Sequence, residues 1–153
     1  MRSFFDKYPV ADKVIAAGVS GGADSLALVL RLKEWGDANG KKIVALTVDH
    51  GLRSEAAAEA AYVAEVMQRF GIEHHILRWE GEKPVHGIEE AAREARYALI
   101  AAWCREAGVR VLATGHHRRD QAETFLLRLI RGSGVSGLSG ILPVSERLGL
   151  MII

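Results

Sequence analysis

Two kinds of apolar segment alternate along the chain. Short, nearly continuous apolar runs are typical of parallel strands that are covered on both faces. Four such runs occur, at residues 13–19, 43–48, 75–79 and 109–114. The run at 75–79 alternates more with polar residues, which predicts a place nearer the edge of the sheet. The apolar stretch at 148–153 predicts a fifth strand, the last of a hairpin whose turn is residues 145–149.

Between these runs, apolar residues recur at helical spacing. The predicted helices are residues 24–38, 55–70, 88–107 and 120–131. We expect the first to end between the helix breakers Gly36 and Gly40 and the third to end at Gly108. The alternation predicts an α/β fold in which a doubly wound, mostly parallel five-stranded sheet carries helices on both faces.

The composition limits the classes of function. The chain has 153 residues, of which 49% are hydrophobic and 25% charged, as expected of one globular domain. Its net charge of +1 gives no global reason to bind nucleic acid, so such binding would need a local patch or further sequence. The single cysteine, Cys104, excludes an internal disulfide, and we expect it to pack in the core. Without an apolar run long enough for a membrane span, the sequence predicts a cytoplasmic protein with no membrane partner.

One loop has the composition of a phosphate-binding site. Between the first strand and the first helix the chain reads Ser20-Gly21-Gly22-Ala23-Asp24-Ser25. The carboxyl ends of parallel strands and the N-termini of helices both favour a phosphate ligand. The glycines allow close approach, Ser20 and Ser25 can donate to phosphate oxygens, and Asp24 would need a cation such as Mg²⁺ beside the phosphates. The simpler alternative is a glycine turn in which Asp24 and Ser25 cap the helix.

The same loop resembles the S-G-G-x-D-S signature of the PP-loop pyrophosphatases, which cleave ATP between its α and β phosphates. Three further segments, read with this loop, resemble the bacterial tRNA(Ile)-lysidine synthetases. They are residues 48–53 (VDHGLR), 89–100 (EEAAREARYALI) and 113–141, which contain GHHRRDQAET. The resemblance implies ATP and Mg²⁺ as cofactors, with L-lysine and an isoleucine tRNA bearing a CAU anticodon as partners. Lysine would be joined to the wobble cytidine through an adenylated intermediate, which gives lysidine, AMP and pyrophosphate.

The resemblance also implies nucleotide-binding residues. They are the loop at 20–25 and the residues His50, Arg53, Gly115 and His116, which follow the second and fourth strands. For His50 and Arg53 the simpler alternative is a turn built around Gly51. His116 is followed by His117, but adjacent side chains point in opposite directions, so a shared metal is not expected.

Four residues are catalytic by the same resemblance: Asp24, Arg96, Asp120 and Glu123. Arg96, Asp120 and Glu123 would bind the lysine substrate, and Asp24 would bind the metal. Asp120 and Glu123 share one helical face, and their alternative role is a favourable interaction with the helix dipole. The alternative for Arg96 is a solvated helix position. Arg119 stands where the family commonly has an aspartate, which puts activity or substrate affinity in question if that position aids magnesium or lysine binding. The simpler alternative is a non-essential position, because the pair of Asp120 and Glu123 is retained.

Other functions and a larger protein are compatible with these motifs. Thiolating PP-loop relatives usually carry paired cysteines, which the lone Cys104 disfavours, whereas amidotransferase-type relatives share the phosphate loop. A non-catalytic ATP-binding module would place its glycine motif later in the chain.

We expect residues 1–153 to be the catalytic domain of a longer chain with further tRNA-binding domains. The oligomeric state is not determined by the sequence, which is compatible with a homodimer.

Overall fold

The computed structural model describes residues 10–52, 55–115 and 144–153. Strands and helices alternate through these ranges, as the sequence predicts. The elements are β1 (Val14–Gly18), α1 (Ala23–Ala38), β2 (Lys42–Asp49), α2 (Ala56–Arg69), β3 (Glu73–Arg78), α3 (Ile88–Ala107), β4 (Val111–Thr114), β5 (Ser145–Arg147) and β6 (Leu150–Ile152). Among the described helices, none combines the length and apolar character needed to cross a membrane.

The described strands form one six-stranded sheet in the order β3-β2-β1-β4-β6-β5. All neighbouring pairs are parallel except β5 and β6, which form an antiparallel hairpin. β3 lies at one edge, as the alternating pattern of its residues predicts. The doubly wound, mostly parallel sheet is therefore confirmed.

The predicted number of five strands is wrong because the hairpin turn is shorter than expected. Ser145–Arg147, predicted as part of the turn, pairs with β6 as a strand. The turn consists of Leu148 and Gly149, which have φ angles of +52° and +76°. Positive φ at two central residues is characteristic of the two-residue turns that match the twist of a hairpin. A leucine in this conformation is uncommon, so the sequence pattern did not identify it as a turn residue.

Helices cover both faces of the sheet, as predicted. On one face, Val29 and Leu32 of α1 pack with Val63 and Met67 of α2 against the sheet. On the other face, α3 packs through a separate cluster that includes Tyr97, Ile100 and Cys104. Burial of Cys104 in this core is confirmed, and it raises the pKa of the thiol to about 11.

Two of the glycines expected at helix ends have different roles. α3 ends as predicted, with Gly108 in the left-handed conformation as its C-cap. Gly36, by contrast, lies inside α1 and is buried. A Cβ atom there would lie 3.0 Å from the carbonyl oxygen of Lys41 and 3.0 Å from the side chain of Ile43. Gly36 therefore allows α1 to approach β2 closely, and it does not end the helix. The fourth predicted helix, 120–131, lies outside the described residues.

Candidate functional site

A cavity of about 410 Å³ opens at the carboxyl edge of the sheet, where β1, β2 and β4 end. The starts of α1 and α2 form one side, and α3 forms the other. Residues predicted for the site from four separate segments line it together. They are Ser20, Ser25, His50, Arg96 and Gly115. The structure thus brings these residues to one place, although their individual roles remain predictions.

The loop at residues 20–25 leaves the N-terminus of α1 without a side-chain cap. Gly22 is the N-cap residue, and the first hydrogen bond of the helix runs from Leu26 N–H to the carbonyl oxygen of Gly22, 3.1 Å. The three amides before Leu26 have no acceptor within the helix. Neither Asp24 nor Ser25 is the N-cap residue of this helix, since glycine occupies that position. An uncapped helix N-terminus next to a cavity suits an anionic ligand.

The conformation of this loop depends on Gly21. Its φ of +88° lies in the region that favours glycine, and a Cβ atom would lie 3.3 Å from Cγ2 of Val63 on α2. A larger residue would thus strain the backbone and push against a buried side chain. The loop lies close to α2 because Gly21 has no side chain.

The two serines of the loop contact each other. Ser25 Oγ donates to the carbonyl oxygen of Gly22 at 2.9 Å and accepts from Ser20 N–H at 3.2 Å. Ser20 Oγ lies 3.2 Å from Ser25 Oγ. Because the Ser25 proton is directed to Gly22, Ser20 is the donor in this contact. The hydrogen bonds of Ser25 therefore stabilise the conformation of the loop. The Ser20 hydroxyl is exposed, so it can rotate away from Ser25 and donate to a ligand.

Asp24 is exposed in the first turn of α1 and follows Gly22 by two residues. Among the described residues, no group of three or more histidine, cysteine or acidic side chains could enclose a metal ion. Mg²⁺ does not require such a group, because it commonly takes one or two carboxylates together with water and phosphate oxygens. A single exposed carboxylate at the start of a helix, as Asp24 is, is compatible with that mode of binding.

His50 follows β2 in a tight turn. Asp49 Oδ1 accepts a hydrogen bond from Gly51 N–H at 2.9 Å, and Gly51 has a φ of +60°. Burial lowers the pKa of the His50 imidazole below its ordinary value, and the Arg96 guanidinium lowers it further, while Asp49 acts in the opposite direction. His50 is therefore neutral at neutral pH and can accept or donate a hydrogen bond.

Several residues that line the cavity were not singled out from the sequence. They include Gly18, Thr47, Glu59, Tyr97 and Thr114. Gly18 and Thr114 are the last residues of β1 and β4, and they lie beside each other in the sheet. Their signal in the sequence is a small or polar residue at the end of an apolar run. That position corresponds to the carboxyl end of a parallel strand, where ligands bind.

Four predicted site residues lie outside the described residues: Arg53, His116, Asp120 and Glu123. Arg119, which departs from the family pattern, lies there as well. The proposed lysine-binding pair and part of the nucleotide site therefore stay predictions.

This chain is similar to known proteins at the level of its family and of individual relatives. A family model described as the PP-loop domain matches residues 1–153. A tRNA(Ile)-lysidine synthase from Bradyrhizobium sp. (strain BTAi1) is 49% identical over 147 residues, which cover 94% of this chain and 41% of the relative. A tRNA(Ile)-lysidine synthase from Zymomonas mobilis is 48% identical over 135 residues, 88% of this chain and 40% of the relative. The chain thus spans about two fifths of the length of these curated relatives.

A solved structure shares the fold. The U34-tRNA thiolase from Methanococcus maripaludis matches with a TM-score of 0.77 at 20% sequence identity. The match covers 93% of this chain and 50% of the thiolase. At this level of identity the likeness concerns the fold alone.

Proposed function

The chain belongs to the PP-loop domain family, and on this premise we propose that it supplies the ATP-dependent chemistry of lysidine formation on tRNA. The observation that carries the proposal is the identity of 48% and 49% with two tRNA(Ile)-lysidine synthases over most of this chain. The proposed substrates are ATP, L-lysine and an isoleucine tRNA with a CAU anticodon. The cavity at the carboxyl edge supports the proposal, since it adjoins the uncapped N-terminus of α1.

In the proposed complex, the phosphates of ATP bind over the amides at the start of α1. The helix dipole and the close approach allowed by Gly21 and Gly22 favour negative charge there. The adenosine would occupy the cavity beside the apolar side chains of Leu46, Val48 and Ile100. Asp24 would hold Mg²⁺ beside the phosphates, and the ion when bound would neutralise charge on the leaving pyrophosphate.

The proposed reaction has two steps. In the first, the 2-oxo group of the wobble cytidine attacks the α-phosphorus, and the bond to pyrophosphate breaks. In the second, the ε-amine of lysine attacks carbon 2 of the ring, and the bond to AMP breaks. Arg96, which lines the cavity, would stabilise negative charge on the α-phosphate. Asp120 and Glu123 would bind the lysine amines, and one of the carboxylates would take the proton that the attacking amine loses.

The buried thiol of Cys104 bears on the alternative of a thiolating enzyme. A cysteine that transfers sulfur needs an accessible thiolate, whereas Cys104 is fully buried and burial raises its pKa to about 11. Cys104 is the only cysteine in the chain. The described core and the sequence together therefore favour ligation of an amine over sulfur transfer by this chain.

The test is an assay of pyrophosphate release by the full-length protein with ATP and Mg²⁺, in which lysine or tRNA is omitted in turn. Release that requires the isoleucine tRNA is expected, because the tRNA supplies the nucleophile of the first step. Release with tRNA absent, or with an acid substrate in place of cytidine, would favour an amidotransferase-type enzyme. No release under any condition would favour a non-catalytic ATP-binding module.

A further inference from the structure

Trp79 is the first residue after β3, and its indole contacts His50. The two rings are 6.0 Å apart between centroids and perpendicular to each other. This edge-to-face arrangement is a favoured geometry for aromatic rings. The backbone strengthens the contact, because Trp79 N–H donates to the carbonyl oxygen of Asp49 at 2.9 Å. The loop after β3 is thus joined to the turn after β2.

No hydrogen bond within the described residues fixes the His50 ring through its Nδ1 atom. This nitrogen is buried and has no partner there. In many functional histidines, a hydrogen bond at one ring nitrogen sets the orientation of the other. The His50 ring does make the edge-to-face contact with the indole of Trp79.

Trp79 is itself anchored by Lys83. The Lys83 ammonium donates to the carbonyl oxygen of Trp79 at 2.7 Å and to that of Gly81 at 2.9 Å. It also lies 5.1 Å from the centroid of the indole, within the range of a cation–π interaction. One ammonium thus closes the loop and fixes the ring that contacts His50.

We propose that Trp79 is a positioning residue, which holds His50 in the orientation in which it lines the nucleotide cavity. Trp79 is not among the described residues that line the cavity, whereas His50 is. Nucleotide affinity should therefore depend on a residue that does not contact the nucleotide. This inference rests on the proposed function, because it takes the ligand of the cavity to be ATP.

The charged groups around His50 predict a second consequence of losing the indole. Arg96 on α3 lowers the pKa of His50 and the adjacent Asp49 raises it, but burial is the largest cause of its lowered value. The Lys83 ammonium lies against the Trp79 ring. Removing the indole admits water to the imidazole, so the pKa of His50 should move up towards its ordinary value.

The test compares Trp79→Leu, which removes the aromatic ring, with Trp79→Phe, which keeps an edge-to-face partner. Trp103→Leu is the matched control, because Trp103 packs against another histidine, His75, with ring centroids 5.0 Å apart, and does not line the cavity. ATP affinity is measured by calorimetry, and the titration of His50 is followed by NMR. Trp79→Leu should weaken ATP binding about 3- to 10-fold and raise the pKa of His50, and Trp79→Phe should restore most of the affinity.

A second variant guards against loss of folding in Trp79→Leu. Lys83→Met keeps the aliphatic stem and removes the anchoring ammonium, so a smaller loss in the same direction is expected. Unchanged ATP affinity and unchanged His50 titration in both variants would overturn the inference, as would an equal loss in Trp103→Leu. If the unsubstituted protein binds no ATP, the proposed function fails. The His50 titration would then still decide whether Trp79 positions the ring.

Discussion

The guanidinium of Arg147 lies 4.0 Å from the centroid of the Tyr97 ring. Arg147 belongs to β5 at the end of the chain, whereas Tyr97 is on α3 and lines the cavity. The same guanidinium donates from Nη2 to Glu94 Oε1 at 2.5 Å. These two contacts join the β5–β6 hairpin to α3, the helix on which Arg96 also lies.

The first prediction follows from this contact. Arg147→Ala should lower the free energy of unfolding by about 1 kcal/mol, mostly through the lost stacking on Tyr97, since the ion pair is partly exposed to solvent. Denaturant titration measures the change. Arg147→Lys is the informative comparison, because lysine keeps the charge but cannot stack as a planar group. Equal stability of both variants and the parent would show that the stacking contributes nothing.

A second prediction concerns the phosphate loop. Gly21→Ala should cost roughly 1 to 2 kcal/mol of stability and also weaken ATP binding, because the alanine strains the loop and displaces it from Val63. Gly40→Ala is the matched control. Gly40 has a φ of +63°, but a Cβ atom added there would meet no neighbouring atom within 4 Å, and Gly40 does not line the cavity. Thermal melting and calorimetry on both variants separate the effects: if Gly40→Ala weakened ATP binding as much, the loss would reflect stability alone.

Gly18 provides a third prediction, in which ATP affinity falls while stability is kept. A Cβ atom at Gly18 would lie 3.9 Å from the carbonyl oxygen of Ala113 and 4.0 Å from Cγ2 of Thr114, which is ordinary contact. Gly18 also lines the cavity, so a branched side chain there would occupy space needed by the ligand. Gly18→Val should therefore keep the fold and lower ATP affinity by about tenfold or more, a loss of about 1.4 kcal/mol. Retained affinity with an unchanged melting temperature would place the ligand elsewhere.

The fourth prediction is a dependence of stability on pH. Burial lowers the pKa of His74, with a further contribution from His75, and His74 Nε2 lies 2.8 Å from the buried Thr47 Oγ1. The unfolded chain therefore binds protons at a higher pH than the folded chain does. The contribution of neutral His74 to the free energy of unfolding is fully present above the ordinary histidine pKa. It is lost as the pH falls through the lowered pKa of His74 in the folded chain. Melting temperatures are measured downwards from about pH 7.5, which lies above the ordinary pKa of histidine. They should fall less steeply for His74→Gln than for the parent. Identical slopes would contradict the assignment to His74.

From β1 to β4, the sequence predicted the order of strands and helices because each of these elements has a strong local signal. α3 shows this most clearly: both of its ends, with Gly108 as the C-cap, agree with the predicted range of 88–107. The terminal hairpin was predicted, but its turn was predicted too long, because Leu148 adopts a positive φ, which nothing in a leucine side chain indicates. The prediction of Gly36 as a helix breaker failed because its reason for being glycine is a contact with β2, which the local sequence does not reveal.

The candidate site was predictable to a similar extent. Loop residues such as Ser20 and His50 follow strand ends, so the parallel topology alone places them together. The hydrogen bond of Ser25 within its loop and the contact of Trp79 with His50 depend on side-chain geometry. Such contacts between separate segments cannot be inferred from spacing along the chain.

The most direct test of the proposed function is incorporation of labelled lysine into tRNA by the full-length protein with ATP and Mg²⁺. The substrate is an isoleucine tRNA with a CAU anticodon, and the control is the same tRNA with uridine replacing the wobble cytidine. We expect lysine to be incorporated into the cytidine-bearing tRNA alone, with release of AMP and pyrophosphate. ATP cleavage that proceeds without any lysine entering the tRNA, or equal labelling of both tRNAs, would contradict it.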